Sequence, residues 1–257
     1  IMDEVGIESI DTKEDFMNYM KAASGNGRYG YGGSWEKTYV SNELAQFVNM
    51  FGGDYFDWTN PANKEAVQFM HDLVAEGYTP IDQIADKYEQ MNPKANDGKY
   101  GSLFMWGLGT DYAKADMLGE DKIHMAMVPD FSGTGERAIF TDSWNYVLNS
   151  ASKNKEAAVK FLQYMASEEG VKASYEAFDR YPARKDVAEK VVPDTDPAKE
   201  IYSRYATECN VQGRPMLPQT MEFITDMGTI FQSYVKDEIT VDEFCTKAQE
   251  YVDKYSE

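Results

Sequence analysis

Residues 142–184 read DSWNYVLNSASKNKEAAVKFLQYMASEEGVKASYEAFDRYPAR, a short strand, a polar turn and two helices in succession. Trp144, Tyr146 and Leu148 alternate with Asn145, Val147 and Asn149, the period-two pattern of a half-buried strand. Ser150, Ser152 and Asn154 offer side-chain oxygens to the open N–H groups of a starting helix, and Glu156 adds negative charge to its first turn. Ala157, Ala158, Phe161, Leu162 and Met165 then fall on one helical face, destined for a core. Ser167 caps a second helix that turns Val171, Tyr175 and Phe178 inward. That helix runs out at Asp179-Arg180-Tyr181-Pro182, because the residue before a proline is driven from helical backbone angles.

Outward from this stretch the same signals recur. Asn60 before Pro61 is an N-cap with proline at the first helical position, and Ala66, Phe69, Met70, Leu73 and Val74 give the buried stripe up to Gly77. Thr240 with Glu243 forms a capping box that opens the last helix. Short apolar runs, Tyr29 to Gly33, Gly101 to Met105, Ile123 to Val128 and Ala138 to Phe140, read as strands. The Gly-rich run Ser24 to Ser34 reads as the longest irregular segment. Helices interleaved with short strands predict an α/β fold.

The 257 residues carry 44 acidic against 25 basic side chains, a formal charge of -19, which argues against nucleic acid and against anionic membrane surfaces. A neutral ligand is compatible with that charge. No apolar run of about 18 residues suggests a membrane span, and no apolar signal-peptide core stands at Ile1. Cys245 lies on the apolar stripe of the last helix with Val241, Phe244, Ala248 and Val252, which favours a buried inert thiol over a disulfide with Cys209.

The passage from Asp142 to Arg184 resembles the extracellular solute-binding proteins of family 1, the maltose-binding-protein-like receptors of bacterial sugar-importing ABC transporters. The strand, the SKN turn, the Ala-Ala-x-x-Phe helix, the Ser-Glu-Glu-Gly start and the Tyr-Pro-x-Arg loop carry the likeness. Four further blocks agree in order: Gly6-Ile7 through Thr12 to Phe16; Phe51-Gly52-Gly53 through Pro61 to Gly77; Asn96-Asp97-Gly98-Lys99 with Ser102 to Gly107; and Arg214-Pro215 through Gln219 to Tyr251. The resemblance implies an α/β, periplasmic-binding-protein-like (type II) two-lobe fold, here a fragment lacking the N-terminal third. Residues 1–141 would form the C-terminal lobe. Residues 142–196 would be the lobe crossing and return segment of the N-terminal lobe, and 197–257 C-terminal helices packing on the C-terminal lobe. It also implies an extracellular or periplasmic protein, tethered by a lipidated N-terminus outside this chain, that hands sugar to the membrane subunits of an importer. The return helices at 154–178 would then need cover from the C-terminal lobe, a missing N-terminal lobe segment or a second copy.

Sugar recognition needs a flat aromatic face against the C–H side of the ring and polar groups that hold hydroxyls. Trp35, in a loop after a strand and before Glu36, is one candidate, with loop packing as its alternative. Trp106 stands at the end of the strand Gly101 to Met105, ahead of Asp111, where ligands gather in open α/β sheets. Asp142, Ser143, Trp144 and Asn145 lie at the expected crossing, where a carboxylate and an indole could grip a sugar or an interdomain strand could simply be packed. Tyr181 and Arg180 before Pro182, and Arg214 before Pro215, complete the candidates; Arg214 could equally cap helix carbonyls.

Enzyme readings find little support. His71 and His124 belong to no HExxH or CxxC pattern, and no GxSxG elbow or P-loop is present. Paired carboxylates for glycoside cleavage carry no signal where 44 acidic residues guarantee close pairs. Asp54, Asp57 and Asn60 with Asp72 lack the glycine and terminal glutamate of an EF-hand, so no metal and no cofactor is expected. A carbohydrate-binding receptor is the leading reading. A hydrolase with two carboxylates and a helical interaction module are its rivals.

Overall fold

The computed structural model describes residues 2, 6–104, 125–141, 145–178, 181–195 and 197–257. The chain gathers into two compact units, one of residues 1–104, 126–141 and 205–257, the other of residues 105–125 and 142–204.

In the first unit, helix α1 (Lys13–Ala23) starts at a reciprocal cap in which Thr12 Oγ1 accepts from Asp15 N at 3.1 Å and the Asp15 carboxylate accepts from Thr12 N at 3.0 Å. Its buried face carries Phe16, Tyr19, Met20 and Ala23. Strand β1 (Tyr29–Tyr31) lies beside it and pairs in parallel with β2 (Tyr100–Ser102), Tyr29 opposite Tyr100 and Tyr31 opposite Ser102. A Cβ on Gly32 would stand 2.2 Å from the Tyr100 ring, so only glycine lets the chain leave β1 beneath that ring.

Helix α2 (Val40–Met50) runs through the middle of this unit, with every residue but Asn42 buried. Phe47 on it meets Tyr31, Phe69, Phe104 and Phe131 at centroid separations of 5.3 to 6.4 Å, mostly edge to face or tilted, the arrangement ring quadrupoles favour. A helix buried all round must answer its own polar side chains. Gln46 does so by donating to Ala138 O at 3.0 Å and accepting from Phe140 N at 2.7 Å. It thereby fixes strand β3 (Arg137–Thr141), which pairs in parallel with β4 (Cys209–Gly213) from Arg137 opposite Cys209 to Thr141 opposite Gly213.

Helix α3 (Pro61–Ala75) begins as the sequence predicts, Asn60 Oδ1 accepting from Ala62 N at 3.0 Å with Pro61 at the first position. A 3-10 turn (Ile81–Ala85) and helix α4 (Tyr88–Asn96) follow. Pro93 sits inside α4, and β4 carries one β-branched residue, so neither element announces itself in the sequence.

Helices α5 (Lys155–Ala166), α6 (Glu168–Phe178), α7 (Lys185–Val191) and α8 (Pro197–Glu208) come next in the chain, with the division between units falling inside α8. Helices α9 (Thr220–Val235) and α10 (Val241–Ser256) close the first unit as an antiparallel pair. Thr240 caps α10 with Glu243 as expected. The α9 backbone passes so close to residue 37 that a Cβ on Gly228 would lie 1.9 Å from the Lys37 carbonyl oxygen. Cys245 is a free thiol, half-buried, and burial pushes it up to about 11.

The second unit is small. Tyr175, Ala188 and Val192 form its core with Tyr181 and Val191 against them. Arg184 ties α5 to α7, donating to Ala166 O at 2.6 Å while its guanidinium pairs with Asp186. Ser167 caps α6 as expected, accepting from Gly170 N at 3.1 Å.

Four expectations need correction. Residues 145–149 form no strand: they have no ladder partner among the described residues, and Val147 is 82% exposed. Residues 125–128 likewise form no strand, and 123–124 lie outside the described residues. Asn154 makes no side-chain cap; the turn is held instead by Ala151 N to Asn149 Oδ1 and Asn154 N to Ser152 Oγ. The stripe on α5 also meets no core, since no residue of α5 is buried and Phe161 is 53% exposed.

Because the Lys37 carbonyl is backbone and cannot swing away, Gly228→Ala should lower unfolding free energy by about 1–3 kcal/mol in urea titration.

Candidate functional site

Loop 32–35 follows β1 and is fastened on all sides by buried hydrogen bonds. Gly33 N donates to Gln83 Oε1 at 2.9 Å, and Ser34 Oγ donates to Asp86 O at 3.1 Å. Its main anchor is Glu43 on α2, 1% exposed, which accepts from Tyr31 Oη at 2.5 Å, Ser34 N at 2.7 Å and Trp35 Nε1 at 2.9 Å. Burial raises the Glu43 carboxyl above its usual range, and the three donors pull the other way.

Trp35 is therefore a core residue. It is 0% exposed, its indole stands edge-on to Phe231 at 5.2 Å, and it offers no face to a ligand, which corrects its candidacy. The reason is Glu43, eight residues on, which holds the indole N–H inside. Tyr181 packs in the second unit, its ring 4.6 Å from that of Tyr202 and against the Tyr175 core. Trp106, Asp111, Asp142, Ser143, Trp144 and Arg180 lie outside the described residues, as does His124.

Arg214 does stand at a recess. With Ser41, Asn42, Tyr55, Pro215 and Ile224 it lines a narrow crevice, closed in this form even to a water molecule. Helix α2 supplies Ser41 and Asn42, the end of β4 leads into Arg214 and Pro215, and α9 supplies Ile224. Tyr55 comes from a loop that Asn63 pins down, donating to Asp54 O at 2.6 Å and Asp57 O at 3.1 Å. Burial pushes the Tyr55 phenol up, while the nearby Arg214 charge draws it down. Met216, two residues on from Arg214, and Met221, at the start of α9, are large exposed apolar groups. Hydroxyls and a guanidinium can hold oxygen-bearing groups. This set contains no nucleophile with a general base.

A second, shallower depression of about 340 Å³ lies between α3 and the α9–α10 turn. Three of its charged or titratable groups are engaged in structure: His71 Nε2 meets Asp237 Oδ1 at 2.9 Å with its ring by Tyr234, and Glu243 caps α10. His71 is thus a bonded structural histidine, as its position on α3 suggests. Among the described residues no group of three metal-ligating side chains occurs, and no helix is long and apolar enough to cross a membrane.

The sequence profile of the family described as bacterial extracellular solute-binding protein matches residues 1–172, and the chain belongs to that family. The family is one of receptors and not of enzymes. No curated protein sequence matches the chain. Among solved structures, an ABC transporter solute-binding protein from Thermotoga lettingae with bound α-D-tagatose superposes with a TM-score of 0.82 at 20% identity, covering 100% of this chain and 68% of that one. Maltose-bound MalE3 of T. maritima gives 0.78 at 18% identity, with 98% and 68% covered. A sugar transporter protein of Bacillus licheniformis in complex with stachyose gives 0.74 at 15% identity, with 99% and 68% covered. The fold is accordingly α/β and periplasmic-binding-protein-like, and this chain matches about two thirds of it.

Trp35→Phe should lower unfolding free energy by about 1–2 kcal/mol, through the lost bond to Glu43, while solute affinity stays within twofold of the parent, read by titration calorimetry at a temperature where both fold.

Proposed function

We propose that the protein is a carbohydrate-binding receptor that delivers a sugar or oligosaccharide to the membrane subunits of an ABC importer. The observation that carries this reading is the family match over residues 1–172. The structural relatives add support, since those described above hold tagatose, maltose and stachyose. The acidic chain, at -19, suits a neutral ligand.

In this reading Arg214 meets the ligand from its crevice, and Trp106, Asp111, Asp142 and Trp144 supply the aromatic faces and carboxylates, with Tyr181 at a rim. Residues 1–141 and 197–257 serve as the C-terminal lobe and its helices, and 142–196 as the crossing and return segment. The exposed apolar side chains Val159, Phe161, Tyr164 and Phe178 are covered by a further segment of an N-terminal lobe. The protein works outside the cytoplasm, tethered through a lipidated N-terminus.

A thermal-shift panel on the intact protein tests the function. A bound sugar stabilises the native state alone, by about 2.7 kcal/mol at a hundredfold excess over Kd. One sugar should raise the unfolding temperature by several degrees without being consumed, and Trp106→Ala should abolish most of that rise. Product formation, or no response to any mono-, di- or oligosaccharide, would exclude the reading.

A further inference from the structure

Ser41 and Tyr55 are each 4% exposed, and neither hydroxyl has a hydrogen-bond partner. Other buried polar atoms share that condition, among them Trp58 Nε1, Gln83 Nε2 and Tyr100 Oη, but Ser41 and Tyr55 line one and the same crevice, beside the Arg214 guanidinium. A buried hydroxyl left unpaired costs about 1–3 kcal/mol, so two in one recess are a standing expense that a purely structural seam would shed by apolar substitution.

Tyr55 is also held firmly for a group that bonds nothing. Asn63 fixes the backbone on both sides of it, Phe56 N donates to Asp54 Oδ1 at 2.9 Å, and the ring is wedged edge-on between Trp58 at 5.6 Å and Phe223 at 6.1 Å. The ring is thus held in place by its surroundings, and Tyr55 is part of the crevice lining. One wall of the crevice, Arg214-Pro215, belongs to neither helix nor strand, whereas the Ser41 and Ile224 walls are helical. Widening the crevice therefore means moving an irregular segment, with no helix unwound.

We propose that Ser41 and Tyr55 are ligand-binding residues, whose hydroxyls together take one hydroxyl group of the sugar when the Arg214-Pro215 segment moves outward. The proposal rests on the receptor reading above and adds to it two residues and the polar end of the ligand they hold. A sugar hydroxyl both donates and accepts, as do the two side-chain hydroxyls, so the three can satisfy one another. The ligand repairs a deficit already present in the unliganded fold.

The test uses the intact protein, Tyr55→Phe and Ser41→Ala, with a saccharide panel that includes maltose, D-tagatose and stachyose. Each variant should unfold, without ligand, at the parent temperature or above it, because it removes an unpaired hydroxyl. Each should also bind the sugar that the parent binds about three- to tenfold more weakly. Unchanged affinity in both variants overturns this proposal and leaves the receptor reading standing. So does a fall in unliganded stability, which would mean that the hydroxyls serve the fold. A parent that binds no saccharide overturns both.

Discussion

A carboxylate set inside an aromatic core governs how the first unit is built. Glu43 lies on the most buried helix among the described residues, and its three donors, Tyr31 Oη, Ser34 N and Trp35 Nε1, are all uncharged. Leaving such a group unanswered would cost several kcal/mol, so the chain around it is bent until donors arrive. That requirement explains the tight exit from β1, the glycines at 32 and 33, where a Cβ would strike the Tyr100 ring or Glu43 itself, and the inward indole of Trp35. Gln232 on α9 then donates to the Trp35 carbonyl at 3.0 Å and to Ile84 O at 2.8 Å, which carries the constraint to the last helical pair.

Local signals were legible in the sequence, and long-range ones were not. Asn60 with Pro61, Thr240 with Glu243 and Ser167 mark their helices because the capping interaction lies within three residues. Trp35 misled because its partner is eight residues away, across a loop and a helix start, where no periodicity speaks. Strand β4 was missed because its ladder partner, not its composition, makes it a strand. The run 145–149 shows the converse, since alternation alone, with no strand beside it among the described residues, leaves an exposed segment that is not a strand.

The candidate site divides in the same way. Arg214 stands out as a candidate in the sequence because an arginine before a proline opens a family block. Ser41 and Tyr55 could not, for a serine on a buried helix and a tyrosine in a polar loop look like ordinary packing. What sets them apart is a missing hydrogen bond, and that is visible only once the chain is folded.

The parallel pairing of β3 with β4 has a consequence for synthesis. Arg137 finds its partner only when Cys209 has been made, and α9 and α10, which bury Phe223, Phe231 and Phe244, come later still. Contacts so distant in sequence form late, and domains emerge from the ribosome in N-terminal order. Helices α5 to α7 therefore leave the ribosome while the aromatic core that precedes them in sequence still lacks its closing helices. During that interval the rings around Phe47 have no α9 beside them, and the aromatic core made first is the last to be closed.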